Sequence, residues 1–413
     1  MAATRFLDTE AVVNNFRLQP YIEDEIAKAD VLRKSVNNAI TLAGASLNRL
    51  NDLAVLDKVD LKEFDSQLLL DLALTYVEVG DWNFVNACIY LIERIEKANA
   101  TQNPKIAPFI LYIKGIASRE NNQCQVAIEY FNSVISFTPQ FTLNSWLIAN
   151  TYRNLGLAHL KNGDQSKDDV FKNEELQKAL NAFDIGCKFL ESKIESEPKL
   201  AGSLPAMRNY RALLSCKIKI IKGEYPAEGL AEFAEVTRQY KESFAKMIGD
   251  KMGLEKSHDW QSHNLHQAMV HRQIVSQKLC RSQDEKTESL KRAMELTQEA
   301  IQGRIANKAD GQRVGDAYFT LGEIHESFVE LGSSAELYMC VAEARAAYTS
   351  AKWHFLGALG LHAQQTEKAN AKLKALESQL SAAEGCRNLL SSPATSIASV
   401  ASTSSQQNTR KFN

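Results

Sequence analysis

Between Asn150 and Phe189 the chain reads NTYRNLGLAHLKNG, an interruption, then KALNAFDIGCKF. The spacing predicts two paired helices, with Tyr152, Leu155, Gly156 and His159 on the first and Ala179, Phe183 and Gly186 on the second. Small residues stand where two helix backbones must approach, and large ones where a gap needs filling. The same arrangement returns in weaker form along the chain, which points to stacked helix pairs. Such stacks bind along a surface and rarely carry out chemistry.

The reading of the rest is helical as well. None of the eight prolines falls between Pro226 and Pro393. An interval that long without proline, and without alternating Val/Ile/Thr, favours helix. Residues 1–20 form a lead-in closed by Pro20. From Tyr21 to about Leu56, Ile22, Ile26, Ala29, Val36, Ile40, Ala43, Leu47 and Leu50 recur at three-and-four spacing on one long helix. Leu72, Ala73 and Tyr76 belong to the next helix, Gly80 suits its left-handed end, and Trp82 opens another. Asn99–Pro108 reads as a loop. A helix over 351–386 carries Leu359, His362, Thr366, Ala369, Leu373, Leu376, Leu380 and Ala383 as a seam. It is coiled-coil-like in form but short, so its expected role is to cap the array. From 387 the Ser/Thr-rich end reads as a disordered tail. The organisation expected is therefore 1–20 lead-in, 21–350 array, 351–386 capping helix and 387–413 tail.

Charge and cysteine usage narrow the function classes. With 48 Lys+Arg against 50 Asp+Glu, the net charge of −2 gives no general footprint for nucleic acid or an anionic membrane. The seven cysteines stand singly, without a CxxC pair. They read as reduced thiols of a cytoplasmic or nuclear protein. There is no apolar stretch of membrane-spanning length and no signal-peptide core near the start. Trp146, Trp260 and Trp353 sit in helical patterns and read as core or inter-helix wedges.

Further units share the pattern. Gly115, Ala127, Phe131 and Pro139 follow one another at related distances. Tyr152, Leu155-Gly156, Gly163, Ala179 and Phe183 do so again, with a lengthened turn within 164–177. A later unit has Tyr318, Leu321-Gly322 and His325, then Ala344, Tyr348 and Ala351, with a second lengthened turn at 330–341. In these residues the chain resembles the tetratricopeptide repeat (TPR) family in divergent form. Ser118 stands where that family has a first-helix Tyr. The resemblance implies an all-α, right-handed α-α solenoid whose first helices line a concave binding surface.

Residues on that inner face are the candidate partner-binding set: Asn150, Arg153, Asn154 and Lys161 on one first helix, then Arg208, Arg211 and Lys217 on the next. Arg and Lys would make charge-assisted bonds to carboxylates, and an Asn can grip a peptide backbone. The expected partner is a protein, bound through a peptide or helix, with acidic segments the best fit. TPR domains that take chaperone tails use a Lys/Asn pair in an earlier repeat, which here falls at Leu70 and Leu74. Asn154 alone matches, so that specialisation is not implied.

One cluster suits a metal instead. Asp259, His263 and His266 fall at i, i+4 and i+7 of a helix, offering two imidazoles and a carboxylate. No phosphate-loop, dinucleotide or nucleophile-elbow motif occurs. The leading expectation is a non-catalytic scaffold or adaptor without a cofactor, monomeric or within a hetero-complex. A structural subunit of a larger assembly is the alternative, and a metal-dependent enzyme at Asp259/His263/His266 a distant third.

Overall fold

Gly115 meets Phe131, Gly156 meets Phe183 and Gly322 meets Tyr348, each across a pair of helices. The computed structural model describes residues 22–42, 53–62, 64–79, 81–98, 106–137, 144–248, 257–307, 309, 311–331, 334–360 and 363–391. These contain fourteen α-helices, two short 3-10 turns and no strand. The chain divides into two compact units, 1–309 and 310–413.

The first unit holds eleven α-helices among its described residues: α1 (Ile22–Leu42), α2 (Ser66–Val79), α3 (Trp82–Ala98), α4 (Ala107–Glu120), α5 (Cys124–Ser136), α6 (Ser145–Gln165), α7 (Asp169–Lys193), α8 (Ser203–Ile221), α9 (Ala227–Ile248), α10 (His258–Ser276) and α11 (Gln283–Ala306). From α2 onward they pack as consecutive hairpins. In α6–α7, Gly156 meets Phe183, Gly186 meets Tyr152, and Gly163 meets Lys172 and Glu175. As one number rises the other falls, so the two helices are antiparallel. Successive hairpins also touch, α5 on α6, α7 on α8, and the first helices α2 on α4, α4 on α6 and α8 on α10.

Aromatic residues fill the space between paired helices, Phe131 and Phe183 against glycines. Phe84, Phe131, Phe183 and Phe233 are each at most 1% exposed, and burying one such side chain contributes roughly 1.5–3 kcal/mol. One apolar core runs from Val36 to Ile218. A smaller one gathers Ala212, Phe233, Val270 and Ile274, and Val236, Tyr240 and Trp260 form a third cluster.

The second unit contains α12 (Gly311–Leu331), α13 (Ser334–Leu359) and α14 (Gln364–Ser391). Gly322 receives the ring of Tyr348, and Gly315 that of Phe355. On α14, Thr366, Ala369 and Leu376 are fully buried. Ala369 packs with Phe355, while Leu373 and Leu376 pack with Tyr348 and Val341.

Several boundaries differ from those expected. Of the helix expected over 21–56, Ile22–Leu42 is helical and Leu53–Lys58 is instead a 3-10 turn, with 43–52 outside the described residues. The loop expected over Asn99–Pro108 already yields to α4 at Ala107, because proline fits the first turn, where its missing N–H is not needed. Neither lengthened turn is a turn. Residues 164–177 are helical except for 166–168, since Asp168 caps α7 by accepting from Val170 and Phe171 N–H. Gly163 is accordingly a close-packing residue inside α6. Likewise α12 reaches Leu331 and α13 begins at Ser334.

The single helix expected over 351–386 is broken at Gly360, whose φ of +90° lies in the left-handed region. Thr366 Oγ1 donates to Gly360 O at 2.9 Å and ties α14 to the break. Trp353 is no wedge, being 67% exposed, whereas Trp146 and Trp260 are buried. Gly80, His362, the 1–20 lead-in and the tail beyond 391 lie outside the described residues.

Candidate partner-binding surface

Helix α6 begins at Asn144, whose Oδ1 accepts from Trp146 N–H. Its polar residues then follow the helical repeat, so Asn150 and Asn154 share one face. That face is inside: the two are 5% and 7% exposed. Asn150 Nδ2 donates to Trp146 O at 2.9 Å. Asn154 Nδ2 donates to Tyr112 Oη at 3.0 Å and to Asn150 O at 2.8 Å. Its Oδ1 accepts from Arg119 Nη1 at 2.5 Å. Lys161 Nζ reaches Arg119 O at 2.8 Å. Asn150 and Asn154, expected on an open inner face, are therefore buried, and Asn154 with Lys161 stitches α6 to α4. A carboxamide with every hydrogen-bonding group satisfied is not available to grip a peptide.

The arginines are more accessible, though each faces a carboxylate. Arg153 lies over the Tyr210 ring at 5.9 Å, with Asp259 at 3.8 Å. Tyr210 in turn stacks on Phe183 at 5.2 Å. Arg208 bonds Glu191 at 2.5 Å. Arg211 bonds Glu232 at 2.5 Å and Asp184 at 3.3 Å. Lys188 and then Arg211 hold the Asp184 carboxyl below its usual range. Lys217 is 3.9 Å from Asp164. Arg153 Nε and Arg208 Nε have no hydrogen-bond partner. The seven candidates thus split into two buried asparagines, a lysine engaged with backbone, and four cations paired with the chain's own carboxylates. Such pairs can exchange one carboxylate for another, so the cationic part can dock an acidic segment by displacement.

The Asp259/His263/His266 cluster does not assemble as a metal site. His263 is buried, with Nδ1 at 3.0 Å from Asn209 Oδ1 and Nε2 at 2.7 Å from Gln267 Nε2. Asn209 Nδ2 then faces His266 Nδ1 at 2.9 Å. Both amides serve as donors to imidazole only if the two rings are neutral, with His263 protonated on Nδ1 and His266 on Nε2. Burial pushes both rings' pKa values down to about 3, aided at His266 by the Lys217 charge. Both His263 nitrogens are thus engaged by protein, and no three His/Cys/Asp/Glu among the described residues are placed to hold a metal ion.

Sequence spacing missed Asn209, which lies on α8 while its histidine partners lie on α10, and Gln267, one turn from His263 on α10. It also missed Glu175, 2% exposed, which joins Lys178, His159 and Asn162 at 2.8–2.9 Å. That cluster fastens α6 to α7. Cys88, Cys124, Cys187 and Cys216 are buried free thiols, and burial raises Cys187 and Cys216 to about 12, away from nucleophilic reactivity.

No protein-family model and no curated protein matches this chain. No described helix is long and apolar enough to cross a membrane.

Proposed function

We propose that the chain is a non-catalytic scaffold of divergent TPR type. In this reading α2–α11 stack as a right-handed solenoid, and its concave side holds an acidic peptide or helix of a protein partner. The observation that carries it is the run of helix hairpins whose first helices touch, α2 on α4, α4 on α6 and α8 on α10, with α4–α5 and α6–α7 each closed by a glycine–aromatic contact. Arg153, Arg208, Arg211 and Lys217 are the docking residues, and Asn150, Asn154 and Lys161 hold the helices that present them. Arg153→Glu with Arg208→Glu should reduce recovery of a bound protein about tenfold or more, with helical circular dichroism retained. Unchanged recovery would place the docking surface elsewhere.

A structural subunit of a larger assembly is the second reading. It is favoured by Trp353 and Met339 of α13, 67% and 68% exposed and about four turns apart on one stripe. Replacing both with Ser should then release the chain from a complex that the arginine variants still enter.

A further inference from the structure

Helices α9, α10 and α11 enclose a cavity of about 310 Å³, outside the residues assigned above to partner binding. Asn264 of α10 lines it. This residue is 1% exposed, yet among the described residues neither its Oδ1 nor its Nδ2 has a hydrogen-bond partner. Elsewhere in α10 the buried His263 and the half-buried Gln267 are tied to one another, and His263 to Thr237. A buried carboxamide without partners costs stability unless something supplies them.

The remaining lining narrows what that occupant is. Lys241 and Arg292 stand at the rim. Among the described residues Lys241 has no carboxylate partner, and Arg292 reaches only Glu295, at 3.3 Å, on the exposed surface of its own helix. Among the described lining residues Glu299 is the one carboxylate, and it already accepts from Trp260 Nε1 at 2.8 Å. The rim therefore favours an anion. The floor calls for a group that donates and accepts side by side, as an amide does. A nucleotide meets both conditions less well. Trp260 is only 7% exposed and packs against Tyr240 and His263, which leaves too little open ring face for a base to stack.

We propose that this cavity binds a carboxylate one residue away from an amide, as at the C-terminus of a peptide. The carboxylate lies between Lys241 and Arg292, the preceding amide pairs with Asn264, and a small apolar side chain rests on Leu296 and the edge of Trp260. The volume is at the lower end for ligand sites and suits one or two terminal residues. The site is independent of the α6–α8 surface and stands whether or not that surface binds a partner.

The test equilibrates the full chain with a mixed library of N-acetylated tripeptides bearing free C-termini, the same library as C-terminal amides, N-acetylated single amino acids, and adenosine monophosphate. Retained species are measured by mass spectrometry after rapid ultrafiltration. Free-carboxylate peptides should be retained about tenfold over their amides. Lys241→Ala with Arg292→Ala, both at exposed positions, should abolish that preference, and Asn264→Leu should lower retention of every peptide. Retention of the single acetylated amino acids at the same level would identify a free metabolite as the occupant of the same chemistry. Equal retention of amides and acids, retention of the nucleotide alone, or no retention at all would overturn the assignment.

Discussion

A Cβ placed on Gly156 would stand 2.5 Å from the Phe183 ring, so glycine is what lets α6 and α7 close on that aromatic. The relationship recurs at 2.6 Å for Gly115 with Phe131, Gly322 with Tyr348 and Gly315 with Phe355. Each aromatic is at most 1% exposed. The same steric device thus serves α4–α5, α6–α7 and α12–α13.

Substitutions at these glycines should therefore overpack. Gly156→Ala and Gly322→Ala are expected to cost roughly 1–3 kcal/mol each. Gly357, on the open side of α13 with no atom within 4 Å of an added Cβ, should show the opposite sign. Gly357→Ala should stabilise by about 0.5–1 kcal/mol through helix propensity. Urea melts of the three variants check the contrast.

Asn154 and its neighbour Arg153 should also behave differently. Asn154→Ala removes hydrogen bonds to Tyr112, Asn150 and Arg119 and should lower stability by roughly 1–3 kcal/mol. Arg153→Ala loses a long ion pair and its contact with the Tyr210 ring at a partly exposed site and should stay within about 1 kcal/mol of the parent. Equal effects in thermal unfolding would show that the α4–α6 stitching is wrong.

Stability should fall on acidification because of the neutral histidines. His263 and His266 are pulled down to about 3 by burial, and His271 to about 4, whereas an unfolded histidine titrates near about 6.5. Between these limits the unfolded chain takes up protons that the folded chain does not, so stability rises with pH across that window. Each pH unit below about 6.5 should cost on the order of 1.4 kcal/mol per fully buried ring. Melting temperatures at pH 7, 6 and 5 should drop progressively, and His263→Gln should reduce the slope. A flat profile would mean that the rings are not held neutral.

The apolar seam of α14 is occupied within its own unit, where Leu376 and Leu373 pack with Tyr348. Leu376→Lys should accordingly destabilise the 310–413 unit by about 2–5 kcal/mol, in the range of losing a buried Leu. Light scattering should give the same association state before and after. Conversion of a stable dimer into a folded monomer by this change would assign the seam to self-association.

The helical class and the glycine–aromatic hairpins were legible in the sequence because both depend on local periodicity. Gly156 with Phe183 and Gly322 with Tyr348 are separated by one hairpin, and the spacing carries the contact. The extended helices at 164–177 were not legible, since an insertion relative to a repeat looks the same whether it loops out or adds helical turns. Asp168 as a cap was the signal available. The inner-face asparagines misled for another reason: polarity suggests exposure, but Asn154 is buried against Tyr112 and Arg119, residues more than thirty positions earlier. The Asn209–His263–His266 chain and the Asn264 cavity likewise join residues whose proximity exists only in three dimensions.

The central claim is that the cationic α6–α8 face holds an acidic segment of a protein partner. Site-specific photo-cross-linking in the native cell tests it most directly, with the reactive side chain placed at Leu157 on α6 and, as a control, at Val126, 41% exposed on α5. The account predicts an adduct from position 157 to an Asp/Glu-rich segment of one partner, lost in the Arg153→Glu/Arg208→Glu background and weakened as salt rises, with none from position 126. Adducts from 126 alone, or adducts from 157 that survive the charge reversal, would contradict it.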